Sequence, residues 1–220
     1  MAGILNYEKM RIYKKQPITM LRSLGYGMND LNGSAWGTLV GSYLMLFLTT
    51  YAGLNAGLVG TMLFALKIID MAVCGVIGGV SDQLFRTAFG RRFGRRHSLF
   101  LIGAIVTLTC FPLLFTVHVG SYLWYFIVLL LLDTAQSFNS IAYETLATEM
   151  TDKANERVKL SSVRMFISAL GTFAVTGLPA ILLSVLGNDS ATAYTISGIV
   201  FGIFLFLGTI ITWYTTWEFS

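Results

Sequence analysis

Ionisable side chains lie within apolar stretches of this sequence, where such groups are costly to place. In the second stretch, Lys67, Asp70 and Cys74 follow one another at i, i+3 and i+7 and therefore share one helix face. If the stretch crosses a membrane, each charge at its centre costs about 2.5–3.5 kcal/mol on insertion scales. Residues of this kind usually face a cavity or bind a partner charge, so they are the first candidates for function.

A second polar stripe lies in the fourth apolar stretch. Its members follow at i, i+3, i+7 and i+11, which again places them on one helix face, and the opposite face is aliphatic. The stripe consists of Asp133, Gln136, Ser140 and Glu144. Two helices of the protein are therefore predicted to present polar faces, and we expect the two faces to meet.

Two further charges complete this set. Asp30 lies in the first apolar stretch among small residues, which allow close helix packing or leave room for a ligand, and Arg164 lies where the fifth stretch begins. One interpretation is a polar cavity for transport; the other is a set of ion pairs that only hold helices together. The first is favoured because acids outnumber bases, which makes poor ion pairing.

Other kinds of chemistry find less support. An intramembrane serine protease needs an activated Ser–His pair, but His118 lies at the end of the third stretch and no GxSG motif occurs. Asp70 and Asp133 are two acids on two helices, without a motif that supports a diaspartyl protease. His97 and His118 have no metal-ligand spacing around them. The sequence therefore predicts no catalytic residues, no metal site and no enzyme.

The composition indicates that lipid surrounds most of the chain. Of 220 residues, 55% are hydrophobic and 12% charged, and the mean hydropathy is +0.70. This excludes a disordered chain and a conventional soluble enzyme. Six stretches have the roughly 20 apolar residues that a membrane helix needs. They are residues 28–52, 57–81, 98–117, 121–145, 162–186 and 192–217.

The fold class that follows is an all-α membrane protein with six transmembrane helices. We expect a basic cytoplasmic leader at residues 1–24, a six-helix transmembrane bundle at 25–217 and a short C-terminal end at 218–220. The breaks after the first, third and fifth stretches are short, whereas the breaks at 82–97 and 149–164 are long and charged.

The basic residues predict the orientation. Of 15 Lys and Arg, 14 lie before the first stretch or in or beside the two long breaks, and the three short breaks contain none. Under the positive-inside rule, both termini and both charged loops are cytoplasmic. We therefore expect a multi-pass plasma-membrane protein. Nucleic acid is not an expected partner, because topology already explains the net charge of +4.

The loop between the second and third stretches has a distinctive pattern, GGVSDQLFRTAFGRRFGRRHS at residues 78–98. Its glycines permit close helix approach, and its acid can pair with the arginines in a breakable latch. The pattern resembles the cytoplasmic loop motif of the major facilitator superfamily; the alternative is a simple stop-transfer charge cluster. The latch residues are Asp82, Arg91, Arg92, Arg95 and Arg96.

Three stretches sharpen this resemblance: residues 24–62, residues 143–171 and the segment from Lys67 to Asp70. Together they resemble the melibiose permease family, the glycoside–pentoside–hexuronide:cation symporters. The resemblance implies the N-terminal six-helix half of a twelve-helix transporter. A second six-helix half, either a C-terminal half or another protomer, is then an expected partner, together with the bilayer and a sugar.

The resemblance also implies a substrate site. Asp30 and Arg164 match the acid and the arginine that bind sugar hydroxyls in the family. Ser140 lies near the position of the family's helix-4 acid, and Asp133 and Glu144 are possible substitutes for that acid. Trp36 or Tyr143 could stack on a sugar ring.

A cation site is implied as well, with departures from the family pattern. Asp70 matches the family's first cation-binding acid and Lys67 a usual basic residue, but the second acid is replaced by Cys74. We expect Asp133 to replace the missing acid and to approach Asp70 within one bridging ion or water. The coupling ion is H⁺ or Na⁺, or Lys67 replaces it and transport is uncoupled. No other cofactor is predicted.

The predicted function is thus half of a secondary active transporter that moves a sugar or glycoside, coupled to H⁺ or Na⁺. Two alternatives are open. One is a lysolipid or other amphiphile carrier of the same superfamily, and the other is a non-transporting remnant or scaffold.

Overall fold

The computed structural model describes residues 17–83, 94–116, 118–186 and 191–218, and this part of the chain contains helices but no strand. In this described part, five helices are long and apolar enough to cross a membrane. They are α4 (Ala56–Gln83), α5 (Arg95–Leu114), α6 (Tyr122–Met150), α7 (Ala154–Leu186) and α8 (Ala191–Thr215).

The chain before α4 is helical in shorter pieces. These are α1 (Met20–Gly27), α2 (Asp30–Leu39), a π-helical segment (Val40–Leu44) and α3 (Met45–Thr50). Met28 and Asn29, which join α1 to α2, keep right-handed helical dihedral angles. The residues at the junctions between these pieces therefore keep a right-handed helical backbone.

Helix α1 begins earlier than the first predicted stretch, which started at residue 28. The Thr19 side chain accepts a hydrogen bond from the Arg22 backbone N–H over 3.4 Å, and the Arg22 guanidinium donates to the Pro17 carbonyl over 2.7 Å. A capping threonine starts a helix even where its first turn is polar. Apolar length alone therefore placed the helix start too late.

The prediction of a long charged loop at residues 149–164 is wrong. Helix α6 continues to Met150 and α7 begins at Ala154, so only three residues, Thr151–Lys153, join them. Thr151 organises the turn: its hydroxyl contacts the Glu156 carboxylate at 2.5 Å, and its carbonyl accepts from Arg157 Nε at 2.9 Å. Most of the charges therefore lie at the end of α6 and in the first turns of α7.

Helix packing arranges these elements around a central opening. Helix α5 packs against α6 and α8, α4 packs against α6, and both α1 and α2 pack against α7. The approach of α2 to α7 is close because residue 171 is glycine. A Cβ there would lie 2.7 Å from Ser34 Oγ and 2.8 Å from Leu31 Cδ2. The small residue thus brings α7 near the charged start of α2.

Aromatic side chains close the bundle at the end opposite the Thr151–Lys153 turn. Phe47 is fully buried, with ring centroids 5.2 Å from Phe115, 6.2 Å from Tyr125 and 5.4 Å from Tyr194. Edge-to-face and tilted pairs at such distances are favourable. We call Phe47, Tyr51, Phe115, Tyr125 and Tyr194 the aromatic cluster. It joins α3, α5, α6 and α8.

Candidate substrate and cation site

A polar cavity of about 250 Å³ lies between α2, α4, α6 and α7. The cavity is lined by all nine residues that the sequence analysis predicted for substrate and cation binding. They are Asp30, Trp36, Lys67, Asp70, Asp133, Ser140, Tyr143, Glu144 and Arg164. Helical periodicity predicted that these residues share helix faces, and in the structure the polar stripes of the helices meet at the cavity. The roles of the individual residues stay predictions.

Arg164 connects three helices at one end of the cavity. Its Nε donates to Asp30 Oδ1 over 2.9 Å, and its Nη2 donates to Glu144 Oε1 over 2.5 Å. Asp30 lies on α2, Glu144 on α6 and Arg164 on α7. A planar guanidinium can serve two acceptors from one fixed fork, which a lysine cannot reproduce. The arrangement presents a charged donor beside two carboxylate acceptors.

Aromatic rings lie beside this ion pair. The Arg164 guanidinium lies over the Tyr143 ring, 4.7 Å from its centroid. The Tyr26 ring stacks on the Tyr143 ring, with 4.6 Å between the two centroids. Tyr143 is buried. A guanidinium over an aromatic face is held electrostatically as well as by its hydrogen bonds. The position of Arg164 is therefore fixed from two directions.

The second charged group lies between α4 and α6. Lys67 Nζ donates to Asp133 Oδ1 over 3.0 Å and lies 3.3 Å from Oδ2, while it is 3.8 Å from Asp70 Oδ2. Trp36 Nε1 also donates to Asp133 Oδ1, over 3.2 Å. The lysine thus lies between the two acids that were predicted to share an ion. The indole of Trp36 faces an acid, and this orients its ring along the cavity wall.

Asp70 has further partners of its own. The Ser137 hydroxyl donates to Asp70 Oδ1, and Cys74 Sγ lies 3.7 Å from the same oxygen. Among the described residues, no group of three or more His, Cys, Asp or Glu side chains is arranged to hold a metal ion. A lysine ammonium, a serine hydroxyl, a cysteine thiol and a tryptophan indole thus contact the carboxylates of Asp70 and Asp133.

The sequence analysis missed Asn32, which lines the cavity beside Gln136 of the predicted polar stripe. Gln136 Nε2 donates to Asn32 Oδ1 over 2.9 Å, and Asn32 Nδ2 donates to Thr209 Oγ1 over 2.7 Å. This chain of hydrogen bonds connects α6, α2 and α8 behind the cavity wall. Uncharged amides carry a weak sequence signal, although the position of Asn32 one turn before Trp36 could have indicated it.

The predicted cytoplasmic latch is described only in part. Arg96 forms an ion pair with Glu149 at 3.5 Å, which joins the start of α5 to the end of α6. Arg91 and Arg92 lie outside the described residues, and so do the side chains of Asp82 and Arg95. The pairing of Asp82 with the arginines stays a prediction.

A buried pair near this loop was not foreseen. The Glu218 carboxylate accepts from the His97 backbone N–H at 2.6 Å, and its Oε1 lies 2.6 Å from His97 Nδ1. Thr216 Oγ1 lies 3.1 Å from His97 Nε2. His97 and Glu218 are both almost fully buried. They attach the chain after α8 to the start of α5, a contact that helix periodicity does not predict.

Apolar helices of membrane length around a cavity with charged walls are typical of helical membrane transporters. The family model described as MFS/sugar transport protein matches residues 25–220, so the chain belongs to this family of the major facilitator superfamily. The membership in the glycoside–pentoside–hexuronide:cation symporter family expected from the sequence is confirmed.

Relatives give the same assignment. The chain is 30% identical over 181 residues to the uncharacterized symporter YnaJ of Bacillus subtilis, which covers 79% of this chain. It is 28% identical over 184 residues, or 80% of the chain, to the putative glycoside/cation symporter YagG of Escherichia coli. It is 26% identical over 186 residues, or 83% of the chain, to the isoprimeverose transporter of Lactiplantibacillus pentosus. The matches span 38% of the length of each of these three relatives.

Proposed function

We propose that the chain is the N-terminal six-helix half of a secondary transporter that moves a sugar or glycoside and is coupled to a cation, H⁺ or Na⁺. The observation that carries this proposal is the Asp30–Arg164–Glu144 group, which faces the cavity beside the Tyr143 ring. Charged acceptors and donors form the strongest hydrogen bonds to hydroxyl groups. An aromatic face beside them suits the C–H side of a sugar ring.

The names of two relatives support the substrate class. One relative is named as a putative glycoside/cation symporter and another as an isoprimeverose transporter. The cavity wall is consistent with a hydrophilic solute, because six of its side chains are charged. The lysolipid alternative has no such support from the names of these two relatives.

The exposure of the charged side chains supports a second half as partner. Lys67 and Glu144 point into the cavity, yet their side chains are 62% and 57% exposed. Transporters of this superfamily bind substrate between two halves that rock against each other. A second six-helix half over this side would cover both residues and complete the site.

The proposed topology has six spans. Besides the five long helices, residues 20–50 provide 31 positions of near-continuous helix, which is enough to cross a bilayer at about 1.5 Å per residue. Both termini would then be on the cytoplasmic side of the plasma membrane, as the basic residues indicate.

Equilibrium dialysis of the purified complete gene product tests the proposal. A panel of 4-nitrophenyl glycosides provides an absorbance readout, and lysophosphatidylcholine is the competing amphiphile. Saturable binding of at least one glycoside, displaced by the free sugar, supports the proposal. Saturable binding of the lysolipid alone would identify an amphiphile carrier, and binding of neither would leave a scaffold.

A further inference from the structure

We infer that the Lys67 ammonium is the built-in cation of the acid pair Asp70 and Asp133, so that Na⁺ does not bind between these acids and transport by this protein is independent of Na⁺. The inference rests on the proposed transport function and specifies its coupling. It concerns one residue, Lys67, as the determinant of ion selectivity.

The position of the ammonium is the first argument. Lys67 Nζ lies 3.0 and 3.3 Å from the two oxygens of Asp133 and 3.8 Å from Asp70 Oδ2. Lys67 and Asp70 are on α4 and Asp133 is on α6, so the side chain bridges two helices. A monovalent ion shared by the acids would need the same central position. The tethered ammonium already holds it.

The donors around the carboxylates are the second argument. Asp133 Oδ1 accepts from Trp36 as well as from Lys67, and Asp70 Oδ1 accepts from the Ser137 hydroxyl. Asp70 Oδ2 faces the ammonium. Three of the four carboxylate oxygens therefore accept a hydrogen bond, and the fourth, Asp70 Oδ2, lies 3.8 Å from the ammonium, whereas bound Na⁺ requires lone pairs that point at it. Binding Na⁺ would break several of these contacts at once.

Burial is the third argument. The Asp133 side chain is only 9% exposed, so water satisfies little of its charge. A buried carboxylate needs a paired charge, because the isolated ion is strongly disfavoured in a medium of low dielectric constant. Lys67 supplies that charge from the same polypeptide, and a second cation beside the ammonium would be repelled.

The thermal unfolding of the complete gene product in detergent tests the inference without a sugar. We compare the midpoint Tm in 100 mM NaCl with the midpoint in 100 mM choline chloride, which keeps ionic strength constant. The wild type should show the same Tm in both salts. Lys67→Ala leaves two facing carboxylates and no ammonium, so Na⁺ should raise its Tm by about 1–3 °C if the Kd is near 10 mM.

Three further variants make the comparison specific. Lys67→Arg keeps the charge and should remain insensitive to Na⁺. Lys67→Ala combined with Asp133→Asn removes one acid and should lose the Na⁺ response. Lys153→Ala is the matched control, because Lys153 also pairs with an acid, Glu156 at 3.3 Å, but lies far from the cavity on an exposed turn.

A Na⁺-specific rise in the Tm of the wild type would overturn the inference, whether or not any variant folds. If Lys67→Ala does not fold, Lys67→Met fills the same volume and takes its place. The absence of a Na⁺ response in both neutral variants would also overturn it. Because the readout contains no sugar, these results are distinct from a failure of glycoside binding, which would contradict the proposed function instead.

Discussion

Arg164 and Asp30 lie 134 positions apart in the sequence, and Arg164 Nε donates to Asp30 Oδ1 over 2.9 Å. The bond joins α7 to α2 at the edge of the cavity. Because Glu144 of α6 accepts from the same guanidinium, one side chain connects three helices. This relationship gives the first two predictions.

Asp30→Asn should abolish glycoside binding and leave expression unchanged. The amide is a weaker acceptor than the carboxylate, both for sugar hydroxyls and for Arg164. Equilibrium dialysis with 4-nitrophenyl glycosides measures the effect, and Asp152→Asn in the turn between α6 and α7 is the control. Unchanged affinity in the Asp30 variant would remove this residue from the substrate site.

Arg164→Lys should weaken binding and also destabilise the fold by about 1–3 kcal/mol, because an ammonium cannot reproduce the fork that reaches Glu144 and also satisfies the part-buried Asp30 carboxylate. The lysine also loses planar contact with the Tyr143 ring. Thermal unfolding in detergent measures the stability, with Arg22→Lys as the comparison. Equal Tm values for the Arg164 variant and the wild type would show that the fork geometry is not required.

The proposed orientation can be checked at Asn55, an exposed residue in the turn before α4. In a background that lacks Cys74 and Cys110, Asn55→Cys should react with a membrane-impermeant maleimide on intact cells. Lys153→Cys, at the opposite end of the bundle, should react only after permeabilisation. The reverse pattern would invert the topology. Asn188, in the break between the fifth and sixth predicted stretches, should behave like Asn55, although it lies outside the described residues.

Gly94→Ala should destabilise the protein by about 1–3 kcal/mol. Gly94 has φ +86° and ψ 153°, a region open almost only to glycine, and a Cβ there would lie 2.6 Å from Glu218 Oε1. Thermal unfolding measures the loss. Gly60→Ala is the matched control because a Cβ at that helical position meets nothing within 4 Å, so this variant should be neutral or slightly more stable.

The sequence allowed the polar faces to be predicted but not their pairings. Periodicity places Lys67 and Asp70 on one face, and their i, i+3 spacing makes Asp70 the nearer acid along the helix. In the structure Lys67 is closer to Asp133, at 3.0 Å against 3.8 Å for Asp70. Contacts between helices depend on helix rotation and crossing, which a single amphipathic pattern does not determine.

Helix ends were also hard to predict from apolar length. The charges of residues 149–164 read as a loop, yet Thr151 makes a three-residue turn and the charged residues continue two helices. The His97–Glu218 contact gave no signal because its residues lie 121 positions apart and belong to no periodic stripe. Family membership, in contrast, could be recognised because it depends on local motifs.

The π-helical segment Val40–Leu44 lies between the polar α2 and the aromatic-bearing α3. One extra residue in a helix advances its angular phase by about 100°, since an α-helix has 3.6 residues per turn. The insertion lets Asp30 and Trp36 face the cavity while Phe47 and Leu48 remain in the core. If the same residues formed a uniform α-helix without this wider turn, Phe47 would be rotated by about 100° away from the aromatic cluster. The wider backbone turn at Val40–Leu44 thus accommodates one additional residue between the polar face of α2 and the buried face of α3.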